Sequence, residues 1–153
     1  MFLGIAFNWG ALLAYTAHTG KLGWPAVALY LAGIAWTLFY DTIYAHQDKD
    51  DDALIGVKST ARLFGDHTQA WLRGFLVLCV LLMALAVVLA FTPQRSVLAL
   101  VVALGAPWFL GWHLSWQLRV LDTEDPDTCL KLFRANRDAG LIPVLFLAVA
   151  AVV

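Results

Sequence analysis

Five apolar segments alternate with polar loops along this chain, and that alternation restricts it to helices bundled across a membrane. The segments run from Met1 to Ala17, Trp24 to Tyr44, Ala70 to Phe91, Val97 to Gln117 and Gly140 to Val153. A crossing helix needs about 20 mainly apolar residues. The middle three meet that length, while the last is short and must recruit the residues before it or sit tilted. Pro25 stands where a helix starts. Thr92-Pro93 stops the third segment, and Pro107 after Gly105 marks a kink in the fourth. The residue content agrees: 61% of the 153 residues are hydrophobic and the mean hydropathy is +0.76, against about half apolar for a soluble domain. The expected fold is all-α, a polytopic transmembrane bundle of about five spans, with residues 1–153 as a single transmembrane domain.

Charge sets the expected orientation. Lys49, Lys58, Arg62, Arg73, Lys131, Arg134 and Arg137 lie in the loops after the second and fourth segments, with Arg119 at the end of the fourth. Only Lys21 and Arg95 lie on the other side. The positive-inside rule places the two large loops in the cytoplasm. The chain is read as integral to a bacterial inner membrane with that face inward. All eleven acidic residues share that side or its edge, as in a polar active-site mouth or in two ordinary solvated loops. A net charge of −1 excludes a strongly basic nucleic-acid face. Cys79 and Cys129 sit in unlike contexts without a CxxC pattern, and read as free thiols. The N-terminus lacks the basic region of a signal peptide.

The chemistry concentrates where the second segment meets its loop, in YDTIYAHQDKDDDALIGVKSTA from Tyr40 to Ala61. Four of the eleven acidic residues fall between Asp48 and Asp52. Like charges one helical turn apart destabilise a helix, so the cluster needs water, a cation or a metal. If the helix continues past Tyr44, Asp41, Asp48 and Asp52 fall within about 40° of one another, and Asp50 points nearly opposite. Asp41 lies deepest toward the hydrocarbon, where an ionisable residue marks function by default, and it is taken as the catalytic position. An EF-hand would use Asp48, Asp50 and Asp52 as its first ligands, but Ala53 and Ser59 occupy the positions that require Gly and Glu. A magnesium–diphosphate site fits better. Lys58 and Arg62 offset phosphate charge, Gly56 allows the chain to turn them back, and Ser59 and Thr60 suit a helix cap. The bland reading is a solvated acidic helix end.

The second loop carries Asp125-Pro126, a cap followed by a helix-starting proline. Leu130 and Phe133 share one face of a short surface helix resting on the membrane interface. Lys131, Arg134 and Arg137 reach either a diphosphate or lipid headgroups. His18, His46, His67 and His113 show no metal-ligand spacing. Trp108, Trp112 and Trp116 line one face of the fourth segment, for bundle packing, an interfacial belt, or a wall for a hydrophobic tail or carbocation.

From Tyr40 to Gly65 the chain closely resembles the second aspartate motif of the UbiA family of membrane prenyltransferases. The Y-D-T-x-Y-A opening, the D-x-D-D-D core and the G-x-K-S-T-A tail match in order and spacing. CLKLFRANRDAGLI, from Cys129 to Ile142, is similar to the family's last cytoplasmic loop. The resemblance implies half of a nine-helix bundle, from its fifth helix onward, opening at an internal methionine. It implies Mg²⁺ held by Asp48 and Asp52, with Asp41 and Lys58 in the same polar cap. It implies a polyprenyl diphosphate donor and, from the Y-D-T-x-Y-A form, 4-hydroxybenzoate as acceptor in ubiquinone biosynthesis. The family's first motif, N-D-x-x-D-x-x-x-D, is missing, since Asn8 has no Asp nearby. The isolated chain is therefore expected to be inactive and to need the N-terminal half of the same enzyme. Two other readings are a small membrane protein that binds or conducts a divalent cation, and a non-catalytic half-fold partner. Spans bare of polar residues apart from Asn8 and Asp41 argue against conduction.

Overall fold

The computed structural model describes residues 2–92 and 96–153, without the side chains of Phe2 and Asp50. Pro93, Arg95 and the direction of Asp50 lie outside the described residues. The helices are α1 (Phe2–Phe7), α2 (Trp9–Thr19), α3 (Trp24–Tyr44), α4 (Lys49–Ile55), α5 (Thr60–Phe64), α6 (Thr68–Phe91), α7 (Val97–Val120) and α8 (Pro126–Ala150). A 3₁₀ turn at Gly65–His67 joins α5 to α6. No strand occurs among the described residues. Three helical stretches are long and apolar enough to cross a membrane: Trp24–Tyr44, Thr60–Phe91 and Val97–Val120.

The four long helices form a ring in which α3 packs on α6, α6 on α7, α7 on α8 and α8 back on α3. Small residues let the backbones approach. Ala28, Ala32 and Ala35 on α3, and Ala99, Ala103 and Ala106 on α7, are all buried. In a bilayer, where lipid is as apolar as leucine, such close van der Waals contact is a main source of helix association. Phe39, Ile43, Leu72, Leu110, Leu114 and Leu132 fill the centre with no exposure. Both cysteines are free and buried in this core.

Two expectations change. The first apolar segment is not one helix, because Asn8 divides it into α1 and α2. The Asn8 Nδ2 donates to the Gly4 carbonyl at 2.8 Å and to Thr37 Oγ1 at 3.0 Å. A short amide that bonds its own backbone competes with the helical ladder, and here it also ties the break to α3. The second change is at the C-terminal end. The surface helix and the fifth span are one continuous helix of 25 residues, α8. Asp125 caps it by accepting from the Asp127 amide at 3.1 Å, Pro126 fits its first turn, and nothing interrupts it before Pro143, which is buried within it. The last apolar segment thus shares its helix with the residues before it, and α8 is not among the three stretches long and apolar enough to cross a membrane.

A polar chain crosses the ring's interior. Trp36 Nε1 donates to Asn136 Oδ1 at 2.8 Å, Asn136 Nδ2 donates to Gln117 Oε1 at 3.2 Å, and Gln117 Nε2 lies 3.1 Å from His113 Nδ1. Gln117 and Asn136 are both buried. This links α3, α8 and α7 through groups that would otherwise lack partners in hydrocarbon.

A candidate active site at the polar end of the bundle

The helix carrying Asp41 stops at Tyr44, a turn covers 45–48, and α4 begins at Lys49. The continuous stripe of Asp41, Asp48 and Asp52 therefore does not form by helical periodicity. The Asp48/Asp52 pair survives locally. Asp48 sits at the start of α4, and the Asp52 amide donates to the Asp48 carbonyl at 2.7 Å, so the two lie one turn apart. Neither carboxylate forms an ion pair among the described residues. No group of three His, Cys, Asp or Glu side chains comes together to hold a metal among them. α4 is a separate short helix that exposes Asp51 and half-exposes Asp52.

Beyond α4 the chain reverses at Gly56, whose φ of 76° is left-handed, a conformation that favours glycine. The reversal brings Arg62 back, and its Nη1 donates to the Asp52 carbonyl at 3.0 Å and also to the Val57 carbonyl. Arg62 thus holds the backbone of the acidic segment, while Lys58 is exposed. Ser59 occupies the cap position of α5 without a side-chain cap bond, and its Oγ is buried without a partner. Thr42 Oγ1, His46 Nδ1 and Gln47 Nε2 share that condition. All four atoms fall within Tyr40 to Ala61.

His46 shows how tightly this end is packed. Thr68 Oγ1 donates to the Gly65 carbonyl at 2.7 Å, so its free lone pair receives the His46 Nε2 proton at 3.3 Å. Burial, and then the Lys49 charge, lower the His46 pKa below its ordinary value, with Glu124 opposing. The unfolded chain, titrating near 6.5, thus binds more protons on acidification than the folded one. Stability from neutral His46 is complete above that value and is lost as pH falls through 6.5 toward the lowered folded value. The thermal midpoint is expected to drop between pH 7.5 and pH 5.5, and less so in His46→Gln. Equal drops in the two proteins would remove His46 as the cause.

The two polar loops meet here. Lys49 Nζ lies 3.5 Å from Glu124 Oε1, an exposed pair worth little in stability but one that sets the loops side by side. At the start of α8, Thr128 donates to Asp125, holding its carboxyl below the usual range. Burial, followed by the nearby Asp125, Asp122 and Glu124 charges, pushes the Cys129 thiol up to about 11, so it is no nucleophile at neutral pH.

Below the motif a cavity of about 650 Å³ opens between α1, α3 and α8. Asn8, Thr37 and Tyr40 give it polar groups, Trp36 and Phe133 give it aromatic walls, and Arg134 and Arg137 give it charge. Phe133 rests against Tyr40 and Tyr44 with centroids at 5.8 and 4.6 Å, so it faces α3 and not the membrane interface expected for it. Asp41 lies one turn beyond Thr37 on α3 and is half-buried. Sequence reasoning overlooked Trp36, Thr37, Gln117 and Asn136. Gln117 alone carried a signal, as a polar residue at the end of an apolar run with His113 four residues before it.

Residues 1–150 match the UbiA prenyltransferase family. The chain belongs to the UbiA prenyltransferase family. It is similar to proteins named "4-hydroxybenzoate polyprenyltransferase, mitochondrial". The Homo sapiens protein is 48% identical over 145 residues, covering 94% of this chain and 37% of its own length. The Dictyostelium discoideum protein is 44% identical over 149 residues, covering 97% and 31%. The Drosophila melanogaster protein is 44% identical over 148 residues, covering 96% and 36%. This chain spans about a third of the length of the curated relatives it matches. No solved structure matches it. Family membership and three membrane-length helices make it an integral membrane protein.

Proposed function

We propose that this chain forms part of an aromatic prenyltransferase that moves a polyprenyl group from polyprenyl diphosphate to a ring carbon of 4-hydroxybenzoate, in ubiquinone biosynthesis. The observation that carries this is 44–48% identity to three 4-hydroxybenzoate polyprenyltransferases across nearly the whole chain. Residues 1–153 are one transmembrane domain in this reading. The remaining length, corresponding to the N-terminal half, supplies the first aspartate motif. The motif face lies on the side with most basic residues, cytoplasmic in a bacterial inner membrane.

Asp48 and Asp52 are the proposed metal ligands. Divalent-metal dependence is general in the family, and two unpaired carboxylates one turn apart offer the oxygen donors that Mg²⁺ shares with substrate phosphates. When bound, Mg²⁺ supplies charge neutralisation for the departing diphosphate. Lys58 lies in the same polar cap as a further cation, and Arg62 fixes the acidic segment from behind. In the cavity, Arg134 and Arg137 are suited to the acceptor carboxylate, since guanidinium matches carboxylate in pairs of bonds. Trp36, Tyr40 and Phe133 wall the allylic carbon, whose positive charge their ring faces attract and from which they exclude water. The allylic C–O bond breaks, its electrons leave with diphosphate, a ring carbon forms the new C–C bond, and the ring loses a proton. Asp41 is the proposed acceptor of that proton.

The longer protein containing this chain, purified and given a polyprenyl diphosphate with labelled 4-hydroxybenzoate, is expected to yield labelled prenylated product only with Mg²⁺ present. This chain alone is expected to yield none. Product from a different aromatic acceptor, with none from 4-hydroxybenzoate, would reassign the substrate.

A further inference from the structure

The tryptophan face of α7 is not packed inside the bundle. Trp108 is 71% exposed and Trp112 61% exposed. With Leu76 and Val80 of α6 they line a groove of about 510 Å³ that has Arg119 at its polar end. A second hollow, sharing Leu76, Ser115 and Arg119, adds Arg73. The two are therefore one groove along the α6–α7 seam, apolar below and doubly cationic above. Its floor lies where the helices come closest. A Cβ at Gly111 would stand 2.9 Å from Val80.

Three features specify an occupant. Neither Arg73 nor Arg119 forms an ion pair among the described residues. Arg119 spends only its Nε, on the Ser115 carbonyl at 3.3 Å. An interfacial belt accounts for Trp116 near the helix end, but not for Trp108, about 16 Å along the axis from Arg119. That depth equals about half of a 30 Å hydrocarbon core, the length of one leaflet. The groove also lies on the α6–α7 side of the ring, opposite the α3–α8 side that opens to the cavity below the aspartate motif.

We propose that the α6–α7 groove is a binding site for a glycerophospholipid with an anionic headgroup. Its phosphate sits between Arg73 and Arg119, and one acyl chain lies along Trp112 and Trp108. Basic pockets between transmembrane helices on the cytoplasmic side recognise such headgroups by charge, while the indole faces replace neighbouring lipid.

The protein, purified at the length its cell makes, is incubated in neutral detergent with equimolar phosphatidylglycerol and phosphatidylcholine of matched chains. Native mass spectrometry then counts the retained lipid. Phosphatidylglycerol is expected to be retained about tenfold over phosphatidylcholine, and the preference should shrink with added salt. Arg73→Gln with Arg119→Gln should bring the ratio to about one. Equal retention in the parent protein, or an undiminished ratio in the double variant, overturns the proposal. A diazirine-tailed phosphatidylglycerol provides a test on the unaltered protein. Crosslinks between Trp108 and Ser115 support the site, and crosslinks confined to α3 and α8 overturn it. Farnesyl diphosphate should leave the bound lipid in place. Its displacement would make the groove a channel for the prenyl donor and also overturn the proposal.

Discussion

Alanine at Asp48 or at Asp52, in the longer enzyme, is expected to lower prenyl-transfer turnover about 10²- to 10³-fold. A metal that neutralises a leaving diphosphate supplies several kcal/mol in the transition state, and each ~1.4 kcal/mol is a factor of ten in rate. Asp48 and Asp52 stand one turn apart at the head of α4 without ion-pair partners among the described residues, so removing either takes half of the proposed ligand pair. Folding should hardly change, because Asp48 is exposed, Asp52 is half-exposed and neither side chain caps a helix. Asp50→Ala, at a position that sequence spacing sets away from the pair, should cost much less. Steady-state rates with saturating Mg²⁺ decide the matter. Losses of the same size at all three positions would sink the pairing of Asp48 with Asp52.

Phe39→Ala is expected to produce the largest loss of stability, about 2–3 kcal/mol. Phe39 is fully buried between α3 and its neighbours. In a soluble core such a change removes about 3–5 kcal/mol, part transfer and part cavity. In a bilayer the separated helix leaves Phe39 in lipid, so the transfer part nearly vanishes and the cavity part remains. For comparison, Asn136→Ala should cost only about 0.6–2 kcal/mol, since interhelical hydrogen bonds in membranes average near the lower figure. Reversible unfolding in bicelles measures both. A larger loss at Asn136 than at Phe39 would mean that the polar chain from Trp36 to His113, and not apolar packing, holds the ring together.

Much of this was legible before any coordinates. The limits of α3 follow from Pro25 and from the polar run after Tyr44. The cap at Asp125 followed by Pro126 reads directly as a helix start, and Gly56 reads as a reversal that takes a left-handed φ. These are local effects, decided by residues within one turn of each other. Asn8 was visible as the polar intruder in the first segment, but the tie it makes to α3 was not, because its partner Thr37 lies 29 residues away. The same limit hid Gln117 and Asn136, whose importance lies in meeting each other across two helices.

The sequence by itself determined the class of molecule and its family. Apolar run length, charge segregation and the motif from Tyr40 to Gly65 depend only on which residues occur and in what order. Tertiary structure decided which of the motif's groups share a surface. It separated Asp41 from the Asp48/Asp52 turn, used Arg62 as a backbone brace, turned Phe133 inward onto Tyr40 and left the α7 tryptophans facing outward. Those outcomes depend on helix breaks and on contacts between distant segments, which a one-dimensional periodicity cannot encode once the helix it assumes has ended.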